Sequence, residues 1–317
     1  QSCPGDSSSF SLRVSLFSMW LSRLTAWLLL VSFQYWVTAQ DQNSFSDATS
    51  KQVWTLAYWT TSATPQTCVP KMNPGWNVLS VVQTTGAAIY GQALAVVSVS
   101  ETQKMVHVHF RGPDAITTFI FSGYTYLLKS VYETVQIEGY DVVAEHGQTF
   151  TALWQAGLRK AMSDAWDEYC DFPILITGHS VGGCPAQMLA LKMKRSGMWD
   201  YSKISLYSYS APRCGYQAFA YAVNQAAQTR YQIRLPDYAI QLPAVTCTTD
   251  NPAAPQPCFW HAGYAVQYAK SFLWGTYSGP TRCATGEAAA CLAGSILNIG
   301  NQNGFYSLTY GFSPPTC

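Results

Sequence analysis

Residues 174–190 read Ile-Leu-Ile-Thr-Gly-His-Ser-Val-Gly-Gly-Cys-Pro-Ala-Gln-Met-Leu-Ala. The apolar start, with its two isoleucines, fits a buried strand. It breaks at Gly178-His179-Ser180-Val181-Gly182, and apolar residues at helical spacing follow. Strand, tight turn and helix, with a serine between two glycines at the turn, is the pattern of a nucleophile elbow. A serine hydroxyl attacks poorly unless it is held out on such a turn, beside a base and near donors that can hold an oxyanion. The glycines leave room for strand and helix to pass close together. The pentapeptide alone would be a weak signal, and the legible strand and helix around it give it weight.

Upstream, Gln148 to Tyr169 reads as a helix, with Phe150, Leu153, Trp154, Leu158, Ala161 and Ala165 at helical spacing and Pro173 stopping it. The segment Glu138 to His146-Gly147 leads into it. Further back lie three strand-like runs, Asn77 to Val82, Gln92 to Val99 and Lys104 to Phe110, after an aromatic run Val53 to Trp59 and a proline-marked loop around Cys68. Downstream, the elbow helix carries Lys192, Lys194 and Arg195 near its end and stops at Gly197. A strand Ile204 to Tyr209, the loop Ser210-Ala211-Pro212-Arg213, a helix Gly215 to Gln228 and a strand Tyr231 to Leu235 follow. This alternation predicts an α/β fold with a mostly parallel central sheet and helices on both faces.

The 317 residues are 48% hydrophobic and 11% charged with a formal net charge of +1, which gives no electrostatic reason to expect nucleic acid. There is no run of basic residues. From Met19, Arg23 precedes the apolar stretch Leu24 to Phe33, and Val37-Thr38-Ala39 offers a cleavage site before Gln40. Residues 19–39 therefore read as a signal peptide, residues 1–18 as an upstream extension, and residues 40–317 as one catalytic domain. The apolar stretch is short for a membrane span, so the expectation is a secreted, extracellular monomer without a stable membrane anchor. Nine cysteines remain after the leader, and the odd number predicts a thiol that is free or paired between chains. Cys184, on the elbow helix, is the expected free one, acting as a small hydrophobe. No pair or cluster has zinc spacing, so the other cysteines are read as disulfides. His107 and His109 share one strand face, but with no third ligand nearby they are read as structural rather than metal-binding.

A serine of this kind wants an acid and then a histidine downstream. His261 is the only histidine after Ser180, which selects it as the base. The aspartates after Ser180 are Asp200, Asp237 and Asp250; Asp237 closes a strand, where loops at the carboxyl edge of a parallel sheet collect functional groups.

The chain resembles the class 3 lipases, the filamentous-fungal type of triacylglycerol lipase, a family that also includes feruloyl esterases. The matching pieces are Val108-His109-Phe110-Arg111-Gly112, His146-Gly147, Thr177 to Gly183, Tyr209 to Arg213, Leu235-Pro236-Asp237 with Leu242-Pro243, and Trp260-His261-Ala262-Gly263. The resemblance implies an α/β-hydrolase fold, no metal and no cofactor. It gives Ser180, Asp237 and His261 the roles of nucleophile, orienting acid and base, and makes Val181 an oxyanion donor. It makes the segment after Asp114 a mobile lid, with Ile116, Phe119, Ile120, Phe121 and Tyr124 as its apolar side chains, and it pairs Cys247 with Cys258. One departure stands out: the family places Ser or Thr after Phe-Arg-Gly, where this chain has Pro113, which lacks both an amide proton and a hydroxyl. Losing one oxyanion donor costs about 10²–10³ in turnover, unless the amide of Asp114 or Gly112 substitutes. The implied activity is hydrolysis of lipid esters. Hydrolysis of aryl or plant-wall esters is the alternative among enzymes, and non-catalytic lipid binding the alternative outside them.

Overall fold

The computed structural model describes residues 45–84, 93–111, 133–234, 242–243, 258–268 and 280–283. Helix α1, Asp47–Thr60, is capped by Ser46, whose side chain accepts from the Thr49 amide at 3.2 Å, and α2, Pro65–Met72, follows. Three strands come next: β1, Asn77–Gln83; β2, Leu94–Ser100; and β3, Met105–Phe110. A hairpin of β4, Thr134–Ile137, and β5, Tyr140–Val143, leads straight into α3, Ala144–Leu153. A kink within Trp154–Leu158, where Gly157 takes φ 130°, joins α3 to α4, Arg159–Tyr169. The elbow strand β6, Ile174–His179, and elbow helix α5, Gly183–Arg195, are followed by β7, Ile204–Tyr209, β8, Gly215–Tyr216, and α6, Gln217–Asn224. The described chain closes with β9, Thr229–Arg234, β10, Phe259–Trp260, β11, Tyr264–Gln267, and β12, Thr281–Cys283.

Eight strands form one sheet in the order β1-β2-β3-β6-β7-β9-β11-β12. The neighbours β3, β6, β7, β9 and β11 run parallel, and antiparallel strands finish both ends. This is the mostly parallel sheet that the strand and helix alternation predicts. β6 is buried along its whole length, which is why Ile-Leu-Ile reads as a continuous apolar run, whereas Val-His-Val-His-Phe of β3 alternates and is buried on both faces from Val106 on. On one face Val106, Val108, Ile174, Ile176, Ile204 and Leu206 pack into the same core as Met188, Leu189 and Met193 of α5. On the other, α1 lays Trp54 4.6 Å from the Tyr209 ring, and Tyr209 Oη donates to the Ser50 carbonyl at 2.9 Å.

A second, smaller sheet, β10-β8-β5-β4, stands beside α5. Lys192 of α5 makes a 2.6 Å ion pair with Glu138 at the β4–β5 turn and lies 4.9 Å over the Trp154 ring, tying the hairpin to the elbow helix. Segments differ from the expectations in three main places, the first being the stretch around Cys68, which is the helix α2 rather than a loop. The helix expected from Gln148 starts at Ala144, so His146 and Gly147 lie inside it. Gly215-Tyr216 is a strand rather than the start of a helix, because it pairs with Val142 of β5 and with β10, an approach so close that a Cβ at Gly215 would lie 2.6 Å from the Asp141 carbonyl.

The expectation of a free Cys184 is corrected: Cys184 is bonded to Cys214, with 5.2 Å between Cα atoms. Both sulfurs are buried, and β7 lies next to β6, so the loop after β7 meets the first turn of α5. Cys68, Cys170, Cys258 and Cys283 are disulfide-bonded too, and no cysteine among the described residues is free. Cys247, the expected partner of Cys258, lies outside the described residues. Closing a loop of 30 residues stabilises by roughly 3–4 kcal/mol, and Cys184→Ala/Cys214→Ala is expected to lose that much in a urea titration with the other bridges intact. A loss below 1 kcal/mol would mean the native fold is strained by the bridge as much as the unfolded chain is restrained.

Candidate active site

The elbow owes its shape to two close approaches. A Cβ at Gly178 would sit 2.3 Å from the Gly182 carbonyl oxygen, and one at Gly182 would sit 2.5 Å from the carbonyl oxygen of Phe110. Only glycine lets the turn fold back on β6 while the head of α5 presses against the end of β3. Between them Ser180 adopts φ 52°, a left-handed conformation that costs a residue with a side chain about 1–2 kcal/mol. Strain of that kind persists where the surrounding packing fixes it, as it does here. Ser180 is 2% exposed.

Val181 follows in a 3₁₀ turn, Ser180–Gly182, that runs into α5. The first amides of a helix have no partner one turn back and carry the positive end of the helix dipole, so the Val181 N–H is a suitable oxyanion donor. The other expected oxyanion residues, Pro113 and Asp114, and the expected lid residues Ile116, Phe119, Ile120, Phe121 and Tyr124 lie outside the described residues. So does Asp237.

The register of the sheet places the remaining pieces. His179 pairs with Tyr209, Tyr209 with Ile233, and Ile233 with Val266, so the carboxyl ends of β6, β7, β9 and β11 form one edge. Ser180 leaves from that edge. β9 ends there at Arg234, three residues before Asp237 in sequence. His261 is buried in the link from β10 to β11, directly after Trp260, which pairs with Gly215 of β8. Gly215 follows Cys214, whose partner Cys184 lies on the elbow helix, and Trp260 shares a core with both cysteines.

A feature the motif search passed over lies next to the elbow. His107 and His109 of β3 are wholly buried, and Thr177 Oγ1 of β6 lies 2.8 Å from both His107 Nε2 and His109 Nδ1. His107 Nδ1 is 3.3 Å from Ser98 Oγ. A hydroxyl carries one proton, so at least one ring donates to Thr177. Trp76 meets His107 edge-on at 5.9 Å, and Trp54 meets His179 at 5.6 Å. Burial pushes the His107 imidazole down to about 3. Burial, with repulsion from His107, His179 and Arg111, holds His109 well below the imidazole range. His146, inside α3, is pushed down to about 4 by burial against a smaller opposing pull from Glu145. The rings are neutral packing units, and no cluster of three metal-ligating side chains occurs among the described residues.

The sequence family described as "Lipase (class 3)" matches residues 98–245, which include β3, the elbow and the end of β9. The chain is 28% identical over 211 residues to a lipase of Rhizomucor miehei, covering 62% of this chain and 55% of that protein. It is 31% identical over 87 residues to a secreted mono- and diacylglycerol lipase of Fusarium solani, covering 26% of this chain and 25% of that protein. It therefore spans about half or less of these curated relatives. The crystal structure of a lipase from Rhizopus microsporus var. chinensis superposes with a TM-score of 0.60 at 18% identity, covering 80% of this chain and 87% of that one. The sheet order, the glycine-framed serine at the edge of β6 and these matches agree: the chain has the α/β-hydrolase fold, and its residues 98–245 are similar to the class 3 lipases.

Proposed function

We propose that the chain hydrolyses carboxylic esters, acylglycerols foremost, through an acyl-enzyme on Ser180. The observation that carries this is the left-handed backbone of Ser180 between Gly178 and Gly182 at the head of α5. Ser180 Oγ attacks the ester carbonyl, the Val181 amide receives the oxyanion, and the alcohol leaves with a proton. Water then cleaves the acyl-serine. Chain order assigns Asp237 and His261 as acid and base. The end of β9 on the nucleophile's edge favours Asp237, whereas the base role of His261 rests on its being the only histidine after Ser180. Acylglycerols are favoured over feruloyl esters by the relatives' lipase names and by the apolar residues 116–124 of the expected lid. Disulfides point to an oxidising compartment, in keeping with secretion. No described helix is long and apolar enough to cross a membrane.

A second function is favoured by Pro113, which brings no amide proton to the expected oxyanion position: a lipid-ester binding protein on the same scaffold. One experiment separates them. The folded chain and its His261→Ala variant are treated with a fluorophosphonate, and Ser180 is followed by peptide mass. Hydrolysis through the proposed relay predicts fast labelling of the parent and at least hundredfold slower labelling of the variant, by the scale of general-base catalysis. Equal labelling of both keeps the nucleophile and removes His261 as the base. An unlabelled parent removes the hydrolase function and leaves binding. Turnover of a short-chain triglyceride that rises above its solubility limit, with no cleavage of methyl ferulate, supports the lipid assignment.

A further inference from the structure

The segment carrying His261 is held from both sides by the continuous stretch formed by β8 and α6. Before it, Trp260 pairs with Gly215 of β8, and the Gln217 amide donates to the Cys258 carbonyl at 2.8 Å. After it, the Gly263 amide donates to Oδ1 of Asn224, the last residue of α6, at 2.6 Å. Gly263 takes φ 86° and lies so close to β9 that an added Cβ would be 3.2 Å from the Arg230 carbonyl oxygen. Trp260 and Ala262, which flank His261, both enter the core that holds Phe219, Ala220 and Val223 of α6. His261 itself is 1% exposed.

A covalent link joins this stretch to the nucleophile. Cys214, the residue before β8, is bonded to Cys184, the second residue of α5, which follows Ser180 by one helical turn. Gly183 beside it packs so closely on the loop after β7 that an added Cβ would lie 2.4 Å from Ala211 Cβ. Both cysteines belong to the core that holds Trp260 and Ala262. Through the bridge, the route from serine to base is one helical turn, one disulfide and the pair Gly215–Trp260. Without it, the covalent path from the elbow to β8 runs through all of α5, β7 and the loop between β7 and β8. The other backbone bonds of the Cys214 region lead elsewhere: its carbonyl accepts from the Val143 amide at 2.9 Å, and Gly215 also pairs with Val142, which ties β8 to β5. A catalytic constellation works only when it is held within about 0.5 Å of its productive geometry.

We infer that Cys184 and Cys214 are positioning residues: their bridge holds β8, and with it the segment carrying His261, against the nucleophile helix, and so sets the spacing between Ser180 and its base. This rests on the proposed role of His261. The bridge acts through the backbone pair Gly215–Trp260 and takes no part in the chemistry. Loosening such a link by an ångström costs up to about 10²-fold in turnover.

The test labels Ser180 with a fluorophosphonate and measures kcat and KM on nitrophenyl butyrate. It uses the full chain as the parent, as Cys184→Ala/Cys214→Ala, as His261→Ala, and with all three substitutions together. Replacing both cysteines leaves no unpaired thiol to reshuffle, and because the bridgeless chain is less stable, rates are taken well below each thermal midpoint. Removing the bridge is expected to slow labelling and kcat about thirtyfold, with KM within about twofold of the parent. In the His261→Ala background the same removal is expected to change labelling less than about threefold, because a spacing between serine and base has no effect once the base is gone. A general loosening of the fold would slow both backgrounds alike. An equal loss in both therefore overturns the positioning role. So does labelling of the bridgeless chain within about threefold of the parent, or a loss confined to KM. His261→Ala labelled as fast as the parent, or a parent that does not label, instead removes the base assignment on which the role depends, and both are read without any cysteine change.

Discussion

Ser180→Gly is expected to be inactive and yet more stable than Ser180→Ala. Both variants lose the hydroxyl and whatever that hydroxyl bonds, so they differ in one methyl group. At φ 52° that methyl crowds its own backbone, whereas glycine occupies the left-handed region at no steric cost. The difference amounts to about 1 kcal/mol, or about 2 °C in the melting temperature of a domain this large. Hydrolysis in both variants falls by about 10⁶, the scale on which removal of a serine nucleophile is felt. Equal stability of the two would show that the turn is relaxed. Surviving hydrolysis would show that another group attacks the ester. Together the measurements separate the conformational cost of the elbow from its chemistry, and they tie the strain to catalysis rather than to folding.

Acid should unfold this protein early. His107, His109 and His146 are neutral in the folded state, with His107 down to about 3 and His146 to about 4, while in the unfolded chain each takes a proton near pH 6.5. A group whose folded pKa is depressed contributes stability that is full above the unfolded value and is lost as pH falls toward the folded one. The window here runs from about 6.5 down to about 4. Each ring contributes a slope of about 1.4 kcal/mol per pH unit, so three together approach 4 kcal/mol per unit, a large share of a typical total stability. Protonating His109 would leave a buried cation beside Arg111 and two further imidazoles. Urea midpoints measured from pH 7.5 to 5 should fall steeply below about 6.5, and His109→Val should remove about a third of the slope. A flat profile would mean that these rings reach water in the native state.

The elbow is legible in the sequence because everything it needs is local: five residues, two of them glycine, between an apolar run and a helical stripe. The parallel sheet follows from the same alternation. The relay is harder, since a histidine's position in the chain does not say which end of a strand it meets. His261 is selected by elimination, and its place in the fold depends on distant pairings, such as Trp260 with Gly215, that no local pattern shows. The reading of Cys184 as free fails for a similar reason. A cysteine count gives parity, while the partner depends on β7 lying next to β6. The four-strand sheet escapes notice because two of its strands are only two residues long, too short for any alternation to register.

The kink at Trp154–Leu158 acts as a phase corrector between α3 and α4. Leu153 and Leu158 both reach the core although five residues apart, an offset that would leave them on different sides of an unbroken α-helix. The non-helical Gly157, at φ 130° with no side chain nearby, absorbs that angle. Phe150 and Leu153 before it, and Met162 and Ala165 after it, therefore meet the same core. A deletion of one residue here would rotate everything downstream by about 100° and turn the oily side of α4 to water, so length is as constrained at this spot as composition is elsewhere.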